Sequence, residues 1–342
     1  MKKIIIIGAG AMGSAFTVPC LENKNNVTLV GTHLEDDLIK SIKSNNNFHP
    51  ALEMELPSSL KIEKFDKLGS ILLSDVDIIV AGVSSIGIKW FVDQISKNYK
   101  KNISIVLLTK GLAIEENELM TLSDKIKKLL KEKGHIEVNV SAIKGPCLAA
   151  GLANKMRTGT VIANPDIKET EILKKIISTK YYSTEISEDL TGIELSGAIK
   201  NIYSMLIGAS EGLSNSNVSK EIKSKYYLNT SASLIHRSIS EMVEFVSYYG
   251  GKAETVYGLA GLGDLYVSAI GGRNSLMGKY LGQGYLYKDA KEKFMKNITV
   301  EGAQLALEIG PKIINDLDSK NFPLMFSMLN TICDNKKLEI DW

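Results

Sequence analysis

The chain has 342 residues, 44% of them hydrophobic and 23% charged, which excludes a disordered protein and leaves room for two ordinary domains. Its 41 basic and 39 acidic residues nearly cancel to +2, so there is no global electrostatic case for nucleic acid or an anionic membrane as partner. Cys20, Cys147 and Cys333 lie far apart, as do His33, His49, His135 and His236, so neither a disulfide framework nor a metal site is expected.

In chain order, the first element is a strand over Lys3–Ile7. The opening Met1-Lys2-Lys3 and the isoleucines superficially resemble a secretory leader, but Gly8, Gly10 and Gly13 interrupt the apolar run too early. No stretch approaches the roughly 18 apolar residues of a membrane span, so no membrane insertion is expected and a cytoplasmic location is the default. Further short β-branched runs follow at Val27–Val30, Asp77–Val83, Ile103–Thr109, Val138–Ile143 and Thr160–Ala163, separated by helical patterns. Such runs predict parallel strands covered on both faces, hence a doubly wound α/β sheet. From about Asp189 the strand signals give way to long helical patterns at Leu190–Gly208, Tyr226–Tyr249, Ala303–Ile314 and Pro323–Asn335. The expected division is therefore an α/β domain over 1–188 and an all-α domain over 189–342.

Gly8-Ala9-Gly10-Ala11-Met12-Gly13 sits between the first strand and a helical pattern. In that context the first glycine permits a tight turn, the second admits a pyrophosphate and the third lets helix and strand pack closely. The amino end of the helix adds attraction for the phosphates. The first domain is thus expected to be Rossmann-type and to bind NAD or NADP through Gly8, Gly10, Ala11, Met12 and Gly13. Pro19 falls inside the following helix and should kink or shorten it unless it sits near an end. At the end of the second strand stands Gly31-Thr32-His33 rather than an acid for the ribose hydroxyls, with Glu35 and Asp36 the nearest carboxylates. Strict NAD use is not expected, and dual use is.

Ligands of such sheets bind beyond the carboxyl ends of the strands, where Lys110 and Gly145-Pro146-Cys147 fall. In Glu194–Asn201, helical spacing puts Leu195, Ala198, Ile199, Ile202, Met205 and Leu206 on one apolar face and Lys200 on a neighbouring stripe of small and apolar residues. Desolvation there would suit Lys200 to proton transfer, and snorkelling from the edge of a core helix accounts for the spacing equally well. Gly258–Asp264 leads through Ser268 to Gly271-Gly272-Arg273-Asn274, where backbone donors and a guanidinium could converge on a phosphate. Arginine occurs only at Arg157, Arg237 and Arg273, which gives weight to each fork of donors retained.

Together these segments resemble the soluble NAD(P)-dependent glycerol-3-phosphate dehydrogenases over nearly the whole length. The resemblance is carried by Gly8–Gly13, Leu108–Leu112, Gly145–Ala149, Glu194–Asn201, Gly258–Leu265, Gly271–Asn274 and Val300–Gly302, with Arg237 and Glu241 on one helix. It implies reversible reduction of dihydroxyacetone phosphate to sn-glycerol 3-phosphate for phospholipid synthesis, without a metal, by a homodimer. It makes Lys200 the acid/base, Lys110 a substrate-polarising residue and Asp264 the group that orders both. Gly145 and Asn201 would join the substrate site; Gly272, Arg273 and Asn274 would hold its phosphate. Lys110, Ala149, Arg273 and Glu301 would approach the cofactor. Cys147, Gly151 and Ser275 depart from the family pattern. They leave open a related dehydrogenase acting on another small hydroxy acid or phosphate, and a non-catalytic NAD(P) sensor.

Overall fold

The computed structural model describes residues 1–214 and 220–340, with side chains outside 215–226. Two compact units emerge, Met1–Lys110 with Thr121–Leu190, and Gly111–Met120 with Thr191–Trp342. The excursion at Gly111–Met120 has no counterpart in a division at 188/189. It joins the second unit because Leu112 is buried in that unit's apolar core and Ile114 and Leu119 pack against it.

The first unit is built on an eight-stranded sheet. Its strands are β1 (Lys3–Ile7), β2 (Asn26–Val30), β3 (Lys61–Glu63), β4 (Ile78–Ala81), β5 (Ser104–Leu107), β6 (Asn139–Lys144), β7 (Thr158–Ala163) and β8 (Tyr182–Ser187). The order is β8-β7-β6-β5-β4-β1-β2-β3, so the chain builds outward from β1 on both sides. That reversal opens a crevice beyond the carboxyl ends of β1 and β4, the usual ligand position of doubly wound sheets. Ile4, Ile6, Leu29, Val80, Val106, Ile143 and Ile162 build the core below it.

Two local features differ from the expectations, and Pro19 falls under the exception made for it. The short β3 and the terminal β8 carry too few apolar residues to signal themselves in the sequence. Pro19 lies within the last turn of the Ala11–Glu22 helix, which runs only three residues past it, so the proline falls near the helix end rather than in its middle. β7 runs antiparallel to β6, with Ala142 opposite Ala163, whereas every strand was expected to be parallel. A six-residue strand spans about 20 Å. The Ala149–Ala153 helix in the connection can return only about 7.5 Å, so the chain comes back in the opposite sense.

In the second unit the Leu190–Leu213 helix is central, with Ile199, Ile202, Met205 and Leu206 fully buried. It crosses the Arg273–Gly282 helix at backbone contact. A Cβ on Gly278 would lie 1.9 Å from the Met205 carbonyl oxygen and one on Gly282 2.3 Å from that of Ala209. Reciprocally, a Cβ on Gly208 would lie 2.3 Å from the Ser275 carbonyl oxygen and one on Gly212 2.4 Å from that of Lys279. Two glycine pairs, each spaced by four, therefore set the distance between the two helices. Gly278→Ala is expected to cost about 3 kcal/mol in denaturant unfolding, because neither backbone can yield locally. Gly69→Ala, with open space around it, is expected to be neutral or stabilising. A loss below about 1 kcal/mol at Gly278 would show that the crossing relaxes freely.

Glu241 ties three helices of this unit together. Its carboxylate accepts from Leu324 N (2.8 Å) and Met325 N (2.9 Å), at the start of the Pro323–Cys333 helix, and from the Tyr203 hydroxyl (3.1 Å). Burial raises its pKa from 4.5 to about 7, despite those donors and Arg237 nearby. A pKa higher in the folded state means that the group's contribution to stability is full below about 4.5 and is lost as pH rises through about 7. The span corresponds to roughly 3 kcal/mol. Glu241→Gln, which cannot ionise, is expected to flatten the unfolding free energy across that window. An unchanged pH slope would exclude Glu241 as its source.

Candidate active site

In the first unit the turn after β1 is shaped by close backbone approach. Gly8 has φ +112°, and a Cβ on it would lie 2.5 Å from the Gly82 carbonyl oxygen, just after β4. A Cβ on Gly13 would lie 2.1 Å from the Gly8 carbonyl oxygen, so the Ala11–Glu22 helix starts directly against the turn. Gly10 is different. A Cβ there would have only the Glu35 Oε1 within reach, at 4.0 Å, leaving an open cradle at a helix amino terminus. Gly8, Gly10, Ala11, Met12 and Gly13 thus fit the diphosphate of a dinucleotide in shape and in polarity.

The Ala9 peptide in this turn is held on both sides. Its N–H donates to Glu35 Oε2 (3.0 Å), and its carbonyl accepts from Ser14 Oγ (3.0 Å) and from Nε2 of the buried His49 (2.9 Å). Glu35 Oε2 also accepts from Thr32 N at 2.7 Å. The acid that seemed missing from the end of β2 is therefore close by, turned inward onto two main-chain amides. His33 packs against Trp90, with ring centroids 5.0 Å apart, and against Phe65. Sequence spacing carried no signal for these contacts, since Phe65 and Trp90 arrive from distant segments.

Beyond β5 and β6, Lys110 Nζ donates to the Gly145 carbonyl at 3.4 Å, and Gly145 has φ +138°. Ala149 begins the short helix that follows. In the second unit Lys200 is only 3% exposed on the Leu190–Leu213 helix. Its Nζ donates to Asp264 Oδ1 at 2.8 Å and is hydrogen-bonded to Ser268 Oγ. Asp264 opens the Asp264–Gly271 helix, following a π-helical turn at Leu259–Gly263, and Ser268 lies one turn later on the same face. Lys200 does not snorkel to water; it is buried, and its pairing with a carboxylate belonged to neither reading of its spacing.

The next helix starts at Arg273 with Gly272 as its cap. Arg273 Nη2 donates to Glu301 Oε1 at 2.9 Å, and both side chains are about half exposed. Asn274, expected at the phosphate, also braces this unit from within. Its Nδ2 donates to Asn201 Oδ1 (2.9 Å) and its Oδ1 accepts from Gly302 N (2.9 Å). These bonds join the helices bearing Lys200, Arg273 and Glu301. Gly302 must be glycine here, because a Cβ would lie 2.3 Å from the Asn201 carbonyl oxygen. Ser268 was not singled out as a partner of Lys200. Its four-residue spacing from Asp264 was the available clue.

A dinucleotide cradle on one unit and a buried lysine–aspartate pair on the other define a dinucleotide-linked dehydrogenase as the class. Residues 3–170 match the family model of the NAD-dependent glycerol-3-phosphate dehydrogenase N-terminus, and residues 189–340 that of its C-terminus. The chain belongs to this NAD-dependent glycerol-3-phosphate dehydrogenase family. It is 32% identical to an NADP(+)-dependent glycerol-3-phosphate dehydrogenase of Archaeoglobus fulgidus, over 98% of this chain and 96% of that one. It is 31% identical to a glycerol-3-phosphate dehydrogenase [NAD(P)+] of Mesoplasma florum, over 96% and 93%. A glycerol-3-phosphate dehydrogenase structure from Coxiella burnetii superposes with a TM-score of 0.81 at 25% identity, covering 98% of this chain and 96% of that chain.

Proposed function

We propose that the chain is an NAD(P)-dependent sn-glycerol-3-phosphate dehydrogenase interconverting dihydroxyacetone phosphate and sn-glycerol 3-phosphate. The observation that carries this reading is Lys200, buried and seated on Asp264 and Ser268. When bound, the nicotinamide dinucleotide supplies or accepts the hydride. The α/β unit, close to the expected 1–188, holds that cofactor through Gly8, Gly10, Ala11, Met12 and Gly13, with Ala149 contributing. The helical unit, close to 189–342, binds the substrate and carries the acid/base. Lys200 gives its proton to the C2 oxygen as negative charge develops there, and Asp264 holds the ammonium in line. Lys110 and the Gly145 main chain polarise and orient the ketone. Arg273 and the helix start at Gly272 bind the phosphate, with Glu301 aiming the guanidinium and Asn201 and Asn274 bracing the helices behind it.

Glu35 bears on cofactor choice. One of its oxygens is held by two main-chain amides, so the carboxylate is not arrayed as a two-oxygen clamp for a ribose diol. Use of both NAD and NADP follows, with a weak preference. We also read the protein as a cytoplasmic homodimer that supplies phospholipid synthesis. Among the described residues no helix is long and apolar enough to cross a membrane. The test is oxidation of NADH and of NADPH by the purified chain with dihydroxyacetone phosphate. Turnover with both, and kcat/KM values within about tenfold, is expected. Folded protein with no turnover on either would overturn the reading.

A further inference from the structure

A second lysine of the first unit is more deeply buried than any catalytic role so far requires. Lys144, the last residue of β6, is 2% exposed, and its Nζ donates to the carbonyls of Thr109 (2.7 Å) and Leu107 (3.4 Å). Lysine is among the residues least often fully buried, because its ammonium must recover lost hydration through hydrogen bonds. Two of its bonds go to the carboxyl end of β5. The parallel ladder between β5 and β6 closes at Leu107 and Ala142. Past that point Thr109 and Lys110 leave the sheet, and their main chain needs other partners.

The two strand ends are joined by crossed lysines. Lys144, from β6, binds the carbonyl that precedes Lys110, and Lys110, from beyond β5, binds the carbonyl that follows Lys144. The Thr109 carbonyl belongs to the same planar peptide as the Lys110 nitrogen. Fixing that oxygen fixes the peptide plane about which Lys110 is launched. The Thr109 side chain secures the same turn from the other side, donating to the Val83 carbonyl at 2.6 Å.

We infer that Lys144 is a positioning residue for the reaction, acting through Lys110 by pinning the Thr109–Lys110 peptide at the mouth of the sheet. The inference rests on the proposed dehydrogenase activity, in which Lys110 touches the substrate. It gives a reason for burying a lysine where a small polar or apolar residue would cost less. A displacement of about 1 Å in a substrate-orienting group can cost up to about 100-fold in rate.

The test is a double-mutant cycle with Lys144→Met and Lys110→Met, each measured for kcat and KM with dihydroxyacetone phosphate. NADH affinity is followed by fluorescence titration. Lys144→Met alone is expected to lower kcat about 10- to 100-fold, with NADH affinity held within about twofold. In the Lys110→Met background the same substitution is expected to cost less than about twofold, since groups acting as a unit are not additive. Equal losses in both backgrounds would mean that Lys144 only plugs the core, and no loss in either would remove it from the mechanism. Lys144→Gln, which keeps an amide donor, serves the same cycle if the methionine variant does not fold. Absence of turnover by the wild-type chain would overturn the dehydrogenase reading and the inference with it. Additivity in an active enzyme would overturn the inference alone.

Discussion

Lys200→Met is expected to lower kcat by about a thousandfold, with NADH affinity nearly unchanged. Positioned general acids contribute about 10²- to 10⁴-fold, and in the proposed reaction Lys200 would also stabilise the charge developing on the C2 oxygen. Methionine fits the buried site at similar length and removes both effects. The glycine turn proposed to take the cofactor belongs to the other unit, so NADH affinity serves as an internal control. Asp264→Asn should fall between the variant and the wild type, because Ser268 still holds the ammonium. Steady-state kcat at saturating substrate decides the matter. A kcat for Lys200→Met within tenfold of the wild type would transfer the proton donor to another group.

The second large effect is expected from Arg273→Lys, a change that preserves charge. Arg273 stands at the first position of its helix, where main-chain donors and the helix dipole favour an anion. Lysine keeps the charge and loses the planar fork, which forfeits about 2 kcal/mol, or roughly 30-fold in KM for the phosphorylated substrate. Its pair with Glu301 is half exposed and contributes about 1 kcal/mol or less to stability. The melting temperature should therefore stay nearly constant, and a raised KM reports binding. A KM within threefold of the wild type would place the phosphate elsewhere.

Several parts of this fold were legible because they depend on local pattern. β1, β2, β4 and β5 are short runs rich in β-branched residues, β6 is a weaker one, and the Gly8–Gly13 turn follows the first of them. The long helices of the second unit follow apolar periodicity, and their observed bounds differ from the expected ones mainly at the ends. Lys110 could be noted from its place beyond a strand, Lys200 from its stripe of small and apolar residues and Arg273 from the scarcity of arginine, whereas the role of Asp264 came from the family resemblance. Their partners could not be read this way. Ser268 beneath Lys200, Glu35 on the Ala9 amide, His49 on the Ala9 carbonyl and Lys144 under Lys110 all come from elements distant in sequence or from unremarkable positions.

The amino-acid sequence by itself determined the class of each half, the glycine turn after β1 and the residue types available for chemistry. Those properties follow from periodicity and from the steric freedom of glycine, which act over a few residues. Only the tertiary structure decided that Lys200 is buried on a carboxylate rather than reaching for water. It also decided that β7 runs against β6, and that four glycines bring two helix backbones into contact. Burial, strand direction and close approach depend on which distant segments meet, and no local pattern encodes that meeting.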